Sequence, residues 1–301
     1  MTRTITVGLD GSAESRAAAE WAAREAVLRE LPLRLLHVRR PDPGPAGEPS
    51  PHGAGSRVDW SEQMLRKTAE GLRQRHPGVE VTHERIDGMP YEVLIKAAED
   101  AELLVLGSRG LGGLGGFLVG SVGFVVVAHA EQPVVLVRAG AQAADEHEPD
   151  PAGIPSAATH YRPVLLGLDA DRPHASVIEF AFAEAARRDT TLRVVHGWAL
   201  PPYYVYGLAA APEAYHGVAQ EEAGKLTQVL APWREKFPQV EVVEESFGGS
   251  PSIRLVEASA ESSLVVVGRR ARRNPLGAHI GSIAHAVMHH GTAPVAVVAH
   301  D

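Results

Sequence analysis

The residues best suited to chemistry in this 301-residue chain lie between Leu103 and Val122, in the stretch LLVLGSRGLGGLGGFLVGSV. A short apolar run is followed by Gly107, Gly110, Gly112, Gly113, Gly115, Gly116 and Gly120, and Ser121 opens a second apolar run. The first run has the length of a buried strand, and the second suits a helix. Glycines let main-chain N–H groups approach phosphate oxygens, and the first turn of a helix adds unpaired donors and partial positive charge. Strand, glycine turn and helix N-terminus together make a phosphate cradle. Three glycine spacings compete within it. Gly110-Leu-Gly112-Gly113-Leu-Gly115 spells G-x-G-x-x-G, but a dinucleotide fingerprint belongs in the first strand-to-helix turn, with a helix opening on its third glycine. Here no helix pattern starts before Gly120. Gly115 to Ser121 has P-loop spacing but lacks the lysine that reaches the β- and γ-phosphates. The third spacing is Gly107-x2-Gly110-x9-Gly120-Ser121. A plain surface connection is the alternative to all three.

The elements that would hold this stretch occur twice. Ile5-Thr-Val-Gly-Leu-Asp10 recurs as Val164-Leu-Leu-Gly-Leu-Asp169, and Leu33-Arg-Leu-Leu-His37 as Leu192-Arg-Val-Val-His196, both 159 positions on. Gly107 pairs with Gly268, Gly120-Ser121 with Gly281-Ser282 and Pro133 with Pro294, now 161 positions on. An internal repeat of this kind marks a duplicated domain. The pattern predicts domains over 1–140 and 161–301, with the Ala-, Pro- and acid-rich segment 141–160 as a flexible linker. In the first half, strands are expected near 4–9, 33–38, 79–86, 102–107 and 133–138, with helices near 13–30, 58–76, 90–100 and 120–130. In the second, strands fall near 163–168, 191–196, 240–247, 263–268 and 294–299, and helices near 174–189, 213–236, 251–262 and 281–290. Strands that read as continuous apolar runs belong to parallel sheets covered on both faces, so each half is read as an α/β, doubly wound sheet. Ser12 is placed as the N-cap of the first helix. Segment 41–57 reads as a disordered or mobile loop. Its counterpart 201–216 is aromatic and apolar, and is read as a lid, a packed loop or a contact surface.

Composition limits the function. With 45% hydrophobic residues the chain can bury two cores, and its net charge of −8 argues against general nucleic-acid binding. The absence of cysteine removes disulfides, thiolate metal sites and thiol nucleophiles. No charged-then-apolar leader and no apolar run approaching 18 residues are seen, so a soluble, cytoplasmic protein is expected. His285 and His289 lie one helical turn apart, but no third metal ligand accompanies them.

With the glycine spacing and the duplication in hand, the sequence resembles the universal stress protein family along nearly its whole length. The resemblance implies the strand order 3-2-1-4-5, a Rossmann-like arrangement of the adenine nucleotide alpha hydrolase type. In that order, ligands bind outside the carboxyl ends of strands 1 and 4, where the winding reverses. It further implies ATP as ligand, with or without Mg2+. Asp10 would face the nucleoside end, its plain alternative being a helix-capping turn. Val38 would present main-chain groups to adenine. Gly107, Arg109 and Gly110 would cradle phosphates, and Gly120, Ser121 and Val122 would present N–H groups, Ser121 serving equally as an N-cap. The second site would use Asp169, Gly268, Arg269, Ala271, Gly281, Ser282 and Ile283. There Ala271 replaces the second signature glycine, at a cost on the order of 1–2 kcal/mol if positive φ is required. Arg269, Arg270, Arg272 and Arg273 concentrate charge on that loop, as a phosphate contact or as a solvated face. The second site is expected to be retained but weaker.

The leading expectation is an ATP-binding regulatory module in the stress response. Its alternatives are a slow ATPase on the same scaffold and a nucleotide-free structural dimer. No general base or phosphate-directed lysine accompanies the loop, so no enzyme beyond slow hydrolysis is expected. The fifth strand of the order 3-2-1-4-5 is an edge, yet Pro133 to Val137 and Pro294 to Val298 are apolar on both faces. Bare apolar edges are aggregation hazards, so the halves are expected to pair through these strands, as in the homodimers of single-domain relatives. A further homodimer would use another surface.

Overall fold

The computed structural model describes residues 3–40, 54–108, 120–199, 212–271 and 280–301, with side chains left aside at 54–59 and 212–214. Two compact units emerge, Met1–Gln142 and Ala143–Asp301. In the first, β1 (Thr4–Gly8), α1 (Ala13–Arg29), β2 (Leu33–Arg39), α2 (Ala54–Arg75) and β3 (Val81–Asp87) are followed by α3 (Pro90–Glu99), β4 (Ala101–Ser108), α4 (Ser121–His129) and β5 (Val134–Arg138). The strands lie in the order β3-β2-β1-β4-β5 and every pair is parallel. Val7 stands level with Leu35 on one side and Val105 on the other. Ile5, Thr6 and Val7 are all fully buried, although their side chains alternate between faces. Burial on both faces requires helices on both, and α1 with α2 covers one face while α3 with α4 covers the other.

The second unit repeats the plan with β6 (Val164–Gly167), α5 (Ala175–Arg187), β7 (Leu192–Trp198), α6 (Pro212–Lys236) and β8 (Val242–Gly248), then α7 (Pro251–Ala258), β9 (Leu264–Arg270), α8 (Ser282–His290) and β10 (Val295–His300). The order β8-β7-β6-β9-β10 is again wholly parallel. The doubly wound α/β reading of both halves holds, including the strand order. The first helix of each unit also carries a buried ion pair one turn apart, Glu25 with Arg29 at 2.6 Å and Glu184 with Arg188. The duplication thus copied a buried polar device that costs desolvation and leaves little room for change.

The segment read as a flexible linker is tied down instead. Asp150 Oδ1 accepts from the N–H groups of Ala152 and Ile154 at 2.9 and 2.8 Å, closing a turn. Glu148 N donates to His160 O, and Arg162 N to Glu146 O. Arg162 Nε donates to His147 O at 2.8 Å while its Nη1 reaches Ala260 O at 2.6 Å. Several backbone groups that a flexible linker would give to water are paired here, and residues 143–160 belong to the second unit as a closed loop.

Candidate functional site

In the first unit the turn from β1 to α1 is built by short polar side chains. Asp10 Oδ1 accepts from Ser12 N at 3.0 Å and from Ser12 Oγ at 2.5 Å. Ser12 in turn accepts from Ser15 N at 3.1 Å and caps α1 in extended geometry. One oxygen of Asp10 therefore holds the turn. Gly11 sits at φ +84°, and a Cβ there would come within 2.8 Å of the Trp60 ring. From the end of β2, His37 Nδ1 donates to Leu9 O at 2.7 Å, which ties strand 2 to the residue before Asp10. Trp60 meets the His37 ring edge-on at 6.3 Å. Across the switch point, Gly107 in β4 faces the N-terminus of α1. A Cβ at Gly107 would lie 2.6 Å from Glu14 C and 2.7 Å from Ser15 N. This glycine has a packing duty, since it lets the first turn of α1 close on strand 4.

The second unit opens at the same corner. A cavity of about 580 Å3 lies at the carboxyl ends of its strands, bounded by Asp169, Trp198, Gly268, Arg270, Ser282 and His300 among others. Pro173 helps to open it. The residue before a proline disfavours helical geometry, and α5 starts at Ala175, six residues past Asp169, whereas α1 starts three residues past Asp10. The missing turn leaves Asp171, Arg172 and His174 on the cavity wall. Asp169 Oδ1 accepts from Asp171 N at 3.1 Å, and its other oxygen pairs with Arg172 at 3.3 Å. His196 repeats the role of His37, with Nδ1 3.1 Å from Leu168 O. Its Nε2 lies 3.3 Å from Glu222, which Lys225 holds at 2.7 Å. Trp198 is only 6% exposed, and among the described residues its indole N–H has no hydrogen-bond partner. Tyr215 packs against it, with ring centroids 5.5 Å apart. A Cβ on Gly281 would meet nothing within 4 Å, so the start of α8 is open to close approach.

The universal stress protein family model matches residues 1–138 and again 160–299. A universal stress protein of Mycobacterium tuberculosis is 33% identical, across 97% of this chain and 96% of its own. The chain belongs to the universal stress protein family. A second such protein, from Mycolicibacterium smegmatis, is 34% identical across 98% of this chain and 96% of its own. A crystal structure of a universal stress protein from Archaeoglobus fulgidus superposes with a TM-score of 0.67, covering 100% of both chains at 17% identity, a likeness of fold.

Most residues of this universal stress protein singled out by sequence fall into three groups. Asp169, Gly268, Gly281, Ser282 and Ile283 come together on the cavity. Asp10, Gly107, Gly120, Ser121 and Val122 occupy the matching turn, strand end and helix start of the first unit, and Val38 stands half-buried near the end of β2, level with Ile86. Arg109, Gly110, Arg272 and Arg273 lie outside the described residues, as do 41–53 and 201–211 of the two unassigned loops.

Other expectations need correction. Arg269 is 4% exposed and does not line the cavity; Arg270 does. Side chains alternate along a strand, so of two neighbouring arginines only one can face the cavity. Counting 161 positions from Arg109 reaches Arg270 as well, so the repeat register carried that signal. Ala271 is not among the described non-glycine residues with positive φ, which are Glu30 and Asp189, so its methyl bears no left-handed penalty. Its N–H donates to His300 O at 2.6 Å. Ser121 and Ser282 are the first residues of their helices, and Gly120 and Gly281 hold the N-cap positions. The serine hydroxyls are therefore not the caps. Sequence reasoning missed His37 and His196 as positioning residues, although they end the motif that revealed the repeat.

Proposed function

We propose that this universal stress protein binds adenine nucleotides as a regulatory module of the cytoplasm, with one site in each unit and ATP as the leading ligand. The cavity of the second unit carries the reading. It lies where a doubly wound sheet presents ligands. The Trp198 ring lines it, and the glycine-capped start of α8 offers N–H groups at its mouth. Those donors, with Arg270, suit a phosphorylated nucleoside. In the first unit, Gly120 caps α4 in the same geometry, with φ −58° and ψ 152° at both caps. Mg2+ would arrive with the triphosphate; among the described residues no group of three or more His, Asp or Glu gathers to hold a metal by itself.

The same residues support binding rather than turnover. Asp10 and Asp169 are engaged in their turns, and no lysine lines the cavity. The test is calorimetric titration of the full chain with ATP, repeated on Gly120→Trp. The substitution should remove the first binding event and leave the fold and the second event in place. A folded variant that binds as the parent does would overturn the assignment of the first site.

A further inference from the structure

The second cavity contains a cluster with no counterpart in the first unit. His174 precedes α5 in extended geometry, with φ −115° and ψ 120°, and its side chain makes no cap hydrogen bond. Its ring instead stacks on His300 at 3.5 Å between centroids, with 23° between the planes. His300 ends β10, and its ring fills the space beside Gly268. A Cβ there would stand 2.9 Å from His300 Cδ2. In the first unit the equivalent space is taken by the backbone of α1. The positions matching His174 and His300 by repeat offset are Ser15 and Ala139, neither of which titrates.

Both imidazoles line the cavity together with Arg270 and Arg172. Arg172 is paired with Asp169, whereas Arg270 makes no ion pair among the described residues. On His174 the charges balance, Arg270 and Arg172 against Asp169 and Asp301, and Asp171 also lines the cavity; the excess of cations falls on His300, which faces Arg270 and Arg269. Arg270, Arg172 and Asp169 act on His174 from β9 and the turn after β6, and Asp301 acts from beyond β10. His300 faces His174, Arg270 and the buried Arg269, and its Nδ1 lies 3.1 Å from Asp301 O. Burial first holds both imidazoles below the ordinary histidine range, followed by Arg270 at His174 and by His174 and then the arginines at His300. Stacked imidazoles beside Arg270, which has no carboxylate partner among the described residues, are an arrangement that an anion would complete. The glycine-capped start of α8 borders the same cavity and offers main-chain N–H groups to an anion.

We propose that His174 and His300, with Arg270, form an anion subsite in the second cavity that takes a phosphate group of the bound ligand and takes up a proton with it. This rests on the nucleotide-binding reading and adds a property that the first site lacks. As pH falls, the second site gains affinity for phosphorylated ligands, by up to about tenfold per pH unit for one proton taken up.

The test follows the histidine ring resonances of the full chain by NMR across pH, with the two signals assigned from His174→Gln and His300→Gln. Spectra are taken without ligand, with adenosine and with adenosine monophosphate. Without ligand, both rings should titrate below about 6.5, the ordinary value. Adenosine monophosphate should raise at least one of them by about one unit or more, and adenosine should leave both in place. Binding of the monophosphate by Gly120→Trp, whose first site is closed, seen as heat in calorimetry with both titrations unmoved, would overturn the subsite alone. An equal rise with adenosine would overturn its anionic character. No heat and no perturbed resonance with either ligand, or with ATP in their place, would overturn the nucleotide reading, and the subsite with it.

Discussion

Gly107 and Gly268 occupy the same place in the two sheets for different physical reasons, and a single methyl separates them. Neither backbone lies in the left-handed region, so alanine is strained at neither by conformation. At Gly107 the new Cβ would meet Glu14 C at 2.6 Å, Ser15 N at 2.7 Å and Glu14 Cβ at 2.8 Å. Two of these atoms are helix backbone, so the whole N-terminus of α1 must retreat. Overpacking of this kind costs about 1–3 kcal/mol, and the stiffening of the unfolded chain by alanine returns only about 0.4–1 kcal/mol. At Gly268 the nearest atoms are His300 Cδ2 at 2.9 Å and Nε2 at 3.0 Å, with Val177 Cγ2 at 3.2 Å. An imidazole near the end of β10 can turn away, so the net cost there should be near zero. Gly107→Ala should therefore lose about 1–2 kcal/mol, or roughly 2–8 °C for a unit of this size, while Gly268→Ala stays close to the parent. Urea unfolding, with hydrogen exchange read by mass spectrometry on peptides from Met1–Gln142 and Ala143–Asp301 separately, assigns each loss to its unit. Equal losses in the two variants, or no loss in Gly107→Ala, would refute the packing role of Gly107.

Two further outcomes are expected. Without bound anion, the second unit should lose stability as pH falls through the ordinary histidine value. His174 and His300 hold protons less readily when folded than when unfolded, so acid favours the unfolded chain. The loss should level off below their folded values, and His300→Gln should flatten it in a pH series of urea titrations. Steady-state phosphate release from ATP should fall far below the roughly 1–10³ s⁻¹ of ordinary enzymes. A rate inside that range that vanishes in Asp10→Ala would make the protein a catalyst.

The strands were legible because parallel strands buried on both faces are written as unbroken apolar runs, as in Leu103 to Leu106 and Val295 to Val298. The duplication then placed every element of the second half from the first. The glycines were legible as necessary, but their purpose was not. Composition cannot show that Gly107 yields to the backbone of α1, because that contact joins segments ninety residues apart. The closed loop at 143–160 escaped for a similar reason. An Asp- and Pro-rich stretch reads as flexible until Arg162 is seen gripping His147 O and Ala260 O. Pro173 did carry a local signal of a delayed helix. Its consequence, a cavity filled in part by the His174 and His300 rings, depends on two positions 126 residues apart.

The central claim is that the chain holds adenine nucleotide in two separate sites. Native mass spectrometry of the full chain, titrated with ATP and repeated on Gly120→Trp, counts the occupants directly. Two bound nucleotides are expected in the parent and one in the variant. A parent that carries no nucleotide at any concentration tried would contradict it.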